Sequence, residues 1–148
     1  NDNQPNTEIR QTDVAFIQKG GAADGLWDCI NERVHFANTQ HWRMDIDEFQ
    51  LPIQLGKYTH GNGHYHWHCD WGPMDHSLRK LTAVVLLSNG SDYEGGDLEF
   101  RFGSSVSRPP RDKGTIIIFP AFLLHRVTPV TEGVRMTATA WVKGPPFR

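Results

Sequence analysis

The chemistry in this chain gathers at His68-Cys69-Asp70 and at a second histidine, His125. If residues 64 to 70 form a strand, their side chains alternate between its faces, so His68 and Asp70 point one way and Trp67 and Cys69 the other. A neutral imidazole and a carboxylate two residues apart on one face are two ready metal ligands. His125 offers a third, at the end of the apolar run that starts at Thr115. Two imidazoles and one carboxylate on one side of a divalent metal leave the opposite positions open, which is the facial arrangement of non-haem Fe(II) sites. A bare His-x-Asp arises often by chance in a chain with eight histidines, so the surrounding pattern has to carry the assignment.

The elements that would position these residues can be read in order. Residues 1 to 8 are polar and expected to be loose. Ile9 to Ile17 suits a short strand, and Gly20-Gly21 breaks it. From Ala22 to about residue 38 the pattern turns helical: Ala23, Leu26, Trp27, Ile30 and Val34 recur at three- and four-residue spacing and give one apolar face. Cys29 falls on this helix as a buried or half-buried residue. Phe49, Leu51, Ile53 and Leu55 alternate strictly, with Pro52 marking an edge strand or bulge. His64 to Asp70 is the next strand, and Trp71 to Lys80 a loop. Leu81 to Leu87 is almost continuously apolar, a strand buried on both faces. Asp92 to Asp97 is a turn, Leu98 to Phe102 a strand, Gly103 to Lys113 a loop, and Thr115 to Phe119 a second buried strand. His125 to Val130 follows, then a turn at Glu132-Gly133 and a last strand, Val134 to Val142. One helix followed by many short strands with Gly/Pro turns indicates a sandwich or barrel.

Bulk properties narrow the function classes. At 148 residues, 38% apolar and 22% charged, the chain suits one globular domain over residues 1–148 with a real core. A formal net charge of −2 argues against a nucleic-acid partner, and no apolar run reaches bilayer length. Two cysteines are too few for a disulfide framework, so a reducing, cytoplasmic setting is the expectation. The chain starts at Asn1 rather than Met, consistent with a missing beginning.

Several motifs then line up. They are Tyr58, His68-x-Asp70, Glu94-Gly-Gly-Asp-Leu-Glu-Phe100, and Gly114…Phe119-Pro120…His125-x-Val-x-Pro-Val-x-x-Gly-x-Arg135, with Trp141 after them. Over roughly residues 45 to 143 this resembles the 2-oxoglutarate- and Fe(II)-dependent dioxygenases. It is most similar to their prolyl 4-hydroxylase-like branch, which includes the PKHD-type hydroxylases. The resemblance implies a mainly β fold, a double-stranded β-helix or jelly roll of two sheets, with the helix packed outside. It implies that His68, Asp70 and His125 hold Fe(II), that Arg135 binds the far carboxylate of 2-oxoglutarate, and that Tyr58 reaches the same carboxylate. Many prolyl 4-hydroxylases carry Lys at the position of Arg135.

Strand parity extends this reading. Arg135, Thr137, Thr139 and Trp141 share one face of the last strand, so Thr139 can add a hydroxyl beside Arg135 and Trp141 can pack on the metal-side histidine. Thr82, Val84 and Leu86 would line the pocket. Cys69 points away from the metal, and His66 is a rim or surface residue. His60, His64 and His76 lie near the mouth. Trp71, Arg79, Arg101 and Arg126 are candidates to grip a peptide or an acidic group, or are plain surface charge. The expected reaction is hydroxylation of a C–H bond, of a prolyl residue in a peptide or protein, with succinate and CO2 as coproducts. Ascorbate is a further candidate cofactor. The alternatives are the same chemistry on another amino acid or a small molecule, a cupin-like metal-binding module without catalysis, and a structural jelly roll with chance histidines. The oligomeric state is left open.

Overall fold

A computed structural model of the chain describes residues 8–61 and 63–147, so the segment expected to be loose lies, apart from Glu8, outside the described residues. Strands β1 (Arg10–Gln11) and β2 (Asp13–Ile17) precede the helix α1 (Asp24–His41). The rest is β: β3 (Ile53–Thr59), β4 (His64–His68), β5 (Arg79–Leu86), β6 (Tyr93–Gly95), β7 (Leu98–Phe102), β8 (Ser105–Ser107), β9 (Ile116–Pro120), β10 (His125–Val127) and β11 (Val130–Lys143). One sheet has the order β1-β4-β10-β7-β8, and the larger one β2-β3-β11-β5-β9, with β6 beside β11. Every pairing is antiparallel. This is the expected two-sheet jelly roll, with α1 on its outside.

The period of two in the larger sheet separates two cores. Leu81, Ala83 and Val85 of β5, with Ala138, Ala140 and Val142 of β11, face the helix and pack on Trp27, Ile30 and Val34. The alternate residues face the other sheet: Val84 and Leu86 join Tyr58, Leu98, Phe100, Phe119 and Val127 in an inter-sheet core. In register, Thr137 lies opposite Leu86, Thr139 opposite Val84 and Trp141 opposite Thr82. On the other side of β11, Arg135 pairs with Tyr58 and Thr139 with Gln54. Arg135, Thr137 and Thr139 of β11 therefore look between the sheets, as their parity requires.

Local chemistry corrects several sequence expectations. The strand expected from Phe49 begins only at Ile53. The reason is helix α1: the Asn31 side chain takes the Phe49 N–H (2.7 Å) and donates to the Phe49 carbonyl (3.0 Å), so Phe49 has neither group left for a ladder. Asn38 ties Met44 in the same way. The strand through His64 ends at His68, before Asp70. The loop 71–80 holds a 3-10 turn over Met74–Leu78 and yields Arg79 and Lys80 to β5. The loop 103–113 contains β8, Asp92–Asp97 contains β6, and β10 stops at Val127. Strand β9 is an edge of the larger sheet, so Ile116–Ile118 are half-buried rather than buried on both faces.

The turn expected at Glu132-Gly133 is a kink within a continuous β11. There the register with β6 shifts and Gly133 adopts φ 74°. A Cβ at this position would run into the Asp92 carbonyl, so glycine lets the strand bend past β6 without breaking. No helix among the described residues is long and apolar enough to cross a membrane.

Candidate metal centre

His68 closes β4 and His125 opens β10, and the two are direct cross-strand partners. That pairing sets their imidazoles side by side, with ring centroids 4.2 Å apart. Asp70 lies two residues beyond the strand. Its N–H and that of Trp71 both donate to the Ala121 carbonyl, at 2.8 and 2.9 Å, which fixes the turn that returns its carboxylate to the histidines. One carboxylate oxygen sits 3.6 Å from His68 Nε2 and the other 3.6 Å from His125 Nε2. The three ligand atoms lie within 4.8 Å of one another.

The donor set fits a divalent metal. His68 Nδ1 contacts the His66 carbonyl at 2.6 Å, and His125 Nδ1 the Leu123 carbonyl at 2.8 Å. A carbonyl only accepts, so each Nδ1 carries the proton and each Nε2 keeps its lone pair toward the centre. Burial pushes the His125 imidazolium down, and the Asp70 charge only partly offsets it, so the ring is neutral at ordinary pH. Burial alone would raise the Asp70 carboxyl. The neighbouring His68 and His125 and the Thr82 hydroxyl outweigh it and bring the group down to about 2. Thr82 Oγ1 donates to Asp70 at 2.7 Å from a position 1% exposed. Two imidazoles and one fixed carboxylate are the hard-to-borderline ligands that Fe(II) accepts.

Beyond the triad lies a cleft between the sheets. Tyr58, Thr139 and Arg135 line it, as expected, with Thr82 and Val84. Leu86 lies deeper in the inter-sheet core, against a small void beside Arg135. Arg135 is 2% exposed, and its guanidinium stands over the Tyr58 ring at 5.0 Å. Among the described residues no carboxylate lies within 4.0 Å of it. A buried cation without a counter-ion is costly unless an anion joins it. That is the fit a dicarboxylate cosubstrate requires: metal ligands at one part of the cleft and an unclaimed guanidinium at another. Gly96 (φ 62°) leaves the room, since a Cβ there would come within 3.1 Å of Arg135 Cδ.

Other expectations sort themselves by place. Trp141 lines the cleft, but its ring packs on the Arg79 guanidinium at 4.2 Å rather than on a histidine. Cys69 is exposed and donates to the Phe122 carbonyl, and Cys29 is free and half-buried. His60 and His66 are exposed, and His76 borders an outer groove together with Arg79. Arg101 and Arg126 flank the Trp67 ring at 5.0 and 4.7 Å, and Arg126 also pairs with Glu99. The Trp71 indole donates to the Ser77 carbonyl.

Three cleft residues escaped the sequence. Tyr65 stacks on His68, with ring centroids 3.4 Å apart and planes at 13°. Strict alternation puts residues 65 and 68 on opposite faces, but β4 bulges against β10: His125 pairs with His68 and Val127 with Tyr65. Three steps on one strand oppose two on the other, and both rings turn inward. Arg10 covers Tyr65 at 4.6 Å from the neighbouring β1. Gln54 is buried on the cleft face of β3. An early Arg and a strand Gln carry no motif, so only the parity of Gln54 with Tyr58 pointed to it.

Comparison with known proteins places this geometry. The model of the 2OG-Fe(II) oxygenase superfamily matches residues 53–143, from the start of β3 to the end of β11. A PKHD-type hydroxylase of Synechococcus sp. (strain CC9902) is 41% identical over 93 residues, 62% of this chain and 40% of that protein. The chain spans less than half the length of the curated relatives it matches. Among solved structures, a Pseudomonas putida prolyl-4-hydroxylase superposes with a TM-score of 0.78 at 21% identity, over 97% of this chain and 77% of that one. A Trichoplax adhaerens prolyl hydroxylase, solved with a hypoxia inducible factor oxygen degradation domain peptide fragment, gives 0.75 at 18% identity, over 92% and 64%. At those identities the two structures speak for the fold.

Proposed function

The chain belongs to the 2OG-Fe(II) oxygenase superfamily, and we propose that it is an Fe(II)- and 2-oxoglutarate-dependent dioxygenase that hydroxylates a prolyl residue in a peptide or protein. The observation that carries the cosubstrate assignment is the buried Arg135 guanidinium, which shares one cleft with the His68–Asp70–His125 triad and has no carboxylate partner among the described residues. In this reading His68, Asp70 and His125 hold the iron through two Nε2 atoms and one carboxylate. Arg135 takes the far carboxylate of 2-oxoglutarate with two parallel N–H donors, while Tyr58 and Thr139 bring hydroxyls to the same cleft. Bound there, iron and 2-oxoglutarate supply the oxidising chemistry, which inserts one oxygen atom of O2 into a substrate C–H bond and releases succinate and CO2.

The protein's own part is orientation and exclusion. The carbonyls of His66 and Leu123 hold the rings in one tautomer, and the Thr82 hydroxyl holds the carboxylate. Val84, Leu98 and Val127 wall the cleft with apolar surface and keep bulk water out. The prolyl substrate is supported by the prolyl hydroxylases with the same fold, one of them solved with a peptide. Two free cysteines support a reducing, cytoplasmic setting.

Anaerobic visible absorption tests the centre. Fe(II) and then 2-oxoglutarate are added to the native protein, Asp70→Ala and Arg135→Ala. A weak charge-transfer band in the native protein that is diminished in both variants is the expected result. A folded, metal-binding native protein without the band would refute the cosubstrate assignment. Succinate release with proline-containing peptides, and none with matched peptides lacking proline, tests the substrate.

A further inference from the structure

Beside the metal cleft, and sharing Arg10, Gln54, Tyr65, Asp70 and Trp141 with it, runs an open groove. Arg10 stands at one wall, stacked on Tyr65, and Arg79 at the other, stacked on Trp141 at 4.2 Å. Both guanidiniums are half-buried. Of the five donors each carries, one finds an acceptor: Arg79 Nη1 meets the Asp70 carbonyl at 3.2 Å. The Nε atoms of Arg10 and Arg79 and the indole Nε1 of Trp141 are buried without a hydrogen-bond partner. Among the described residues no carboxylate lies within 4.0 Å of either arginine. Lys143 adds a further cation to the lining, against Asp75.

The three cations of this lining, Arg10, Arg79 and Lys143, thus outnumber its two carboxylates, Asp70 and Asp75. Of the other arginines expected to share this task, Arg126 is already paired with Glu99 and Arg101 lies over Trp67, outside the lining of this groove. The groove also offers apolar surface that is free in the chain, with Phe16 56% and Leu51 39% exposed. A lining that is apolar at Phe16 and Leu51 and cationic at Arg10 and Arg79 fits a segment of chain that carries both kinds of group better than a single small acid.

We infer that this groove selects an acidic peptide: Arg10 and Arg79 take a carboxylate next to the residue presented to the metal, and Phe16 and Leu51 take an apolar neighbour. This rests on the proposed hydroxylase reading and names its substrate class. Stacking on aromatic rings holds each guanidinium flat and leaves its edge free, which suits carboxylate recognition and lowers the entropy lost on binding.

The test is binding, with no turnover required. Fluorescein-labelled decapeptides with one proline, flanked by Glu, Gln or Lys, are titrated into the metal-free native protein, Arg10→Met, Arg79→Met and Arg79→Lys, with circular dichroism confirming the fold. The Glu peptide should bind at least tenfold more tightly than the Lys peptide. The gap should narrow at 0.5 M salt and shrink several-fold in each methionine variant, with partial recovery in Arg79→Lys. Equal affinity for the three peptides in the native protein overturns the inference, whatever the variants do. A gap unchanged in both methionine variants overturns its assignment to these arginines. N-acetyl-L-glutamate displacing the peptide at comparable concentration overturns the peptide as occupant. The charge-transfer band is read separately, so loss of the band with the charge preference intact removes the hydroxylase reading alone. A band without charge preference removes the groove alone.

Discussion

Thr82→Val asks how much of the metal centre depends on a residue that would not touch the metal. Thr82 is 1% exposed and its hydroxyl donates to Asp70 at 2.7 Å. Valine fills the same space with a methyl, so the change removes a charge-assisted hydrogen bond and little else. Such a bond contributes about 1.5–3 kcal/mol. Two effects of opposite sign then compete. A bound cation would itself compensate the carboxylate, so the lost donor matters less with metal than without it. Against this, the freed carboxylate can rotate away from the bisecting position that now puts one oxygen 3.6 Å from each Nε2. Outer-shell substitutions of this kind typically weaken metal binding by about 10–100-fold, so orientation wins. The offsetting term puts the expectation at the low end, about tenfold, or roughly 1.4 kcal/mol.

The assay is anaerobic Fe(II) titration against a chromophoric chelator, with thermal unfolding of the metal-free protein alongside. Thr82→Val should bind about tenfold more weakly, and Thr82→Ser should recover most of the loss. The metal-free variant should also melt lower, since a buried carboxylate has lost a donor. If Thr82→Val binds Fe(II) within about threefold of the native protein while Asp70→Ala does not bind, the carboxylate does not need its hydroxyl and the orientation argument is wrong.

Three further outcomes follow from single contacts. Asn31→Ala strips both partners from the Phe49 backbone and should lower unfolding free energy by about 1–3 kcal/mol; a denaturant midpoint equal to the native one would show that water replaces the amide at no cost. Gly96→Ala places a Cβ 2.9 Å from Val130 Cγ2 and 3.1 Å from Arg135 Cδ at φ 62°, and should cost about 1 kcal/mol or more together with weaker 2-oxoglutarate binding by calorimetry; an unchanged affinity would mean that Arg135 does not feel the crowding. Glu99 is 1% exposed between Arg126 and Arg108; burial alone would raise its carboxyl, but hydrogen bonds and charge from the two arginines hold it below its ordinary value. A depressed folded value contributes stability that is complete above the unfolded value of about 4.3 and lost as pH falls through the folded one. The melting temperature of the native protein should therefore fall more steeply between roughly pH 5 and pH 3 than that of Glu99→Gln, and parallel profiles would remove Glu99 as the cause.

What the sequence made legible was what repeats locally. The stripe Trp27, Ile30, Val34 follows from period and the buried Leu81–Leu86 from a nearly unbroken apolar run. Arg135 and the triad were named by the family resemblance, and the parity of β11 added Thr139 to the same face. The misreadings share another cause. At Phe49 a helix side chain outcompeted the strand ladder, and at Gly133 a glycine served as a kink rather than a turn. In both places the local pattern was real, and a partner distant in sequence decided how it was used.

The bulge in β4 is the most consequential of these distant decisions. A regular strand through His68 would place Tyr65 on the outer face and leave the inner side of the imidazole bare. With the register shift against β10, Tyr65 lies flat on His68 and Arg10 lies over Tyr65. One extra residue in one strand thus builds a guanidinium–phenol–imidazole column from β1 to the metal ligand. Arg10 and Tyr65 of this column line both the metal cleft and the outer groove. In the proposed reading, ligand orientation and substrate entry are coupled through Tyr65, which no motif announces. A change there should disturb metal affinity and peptide affinity together, whereas Thr82→Val should disturb the first and Arg79→Met mainly the second.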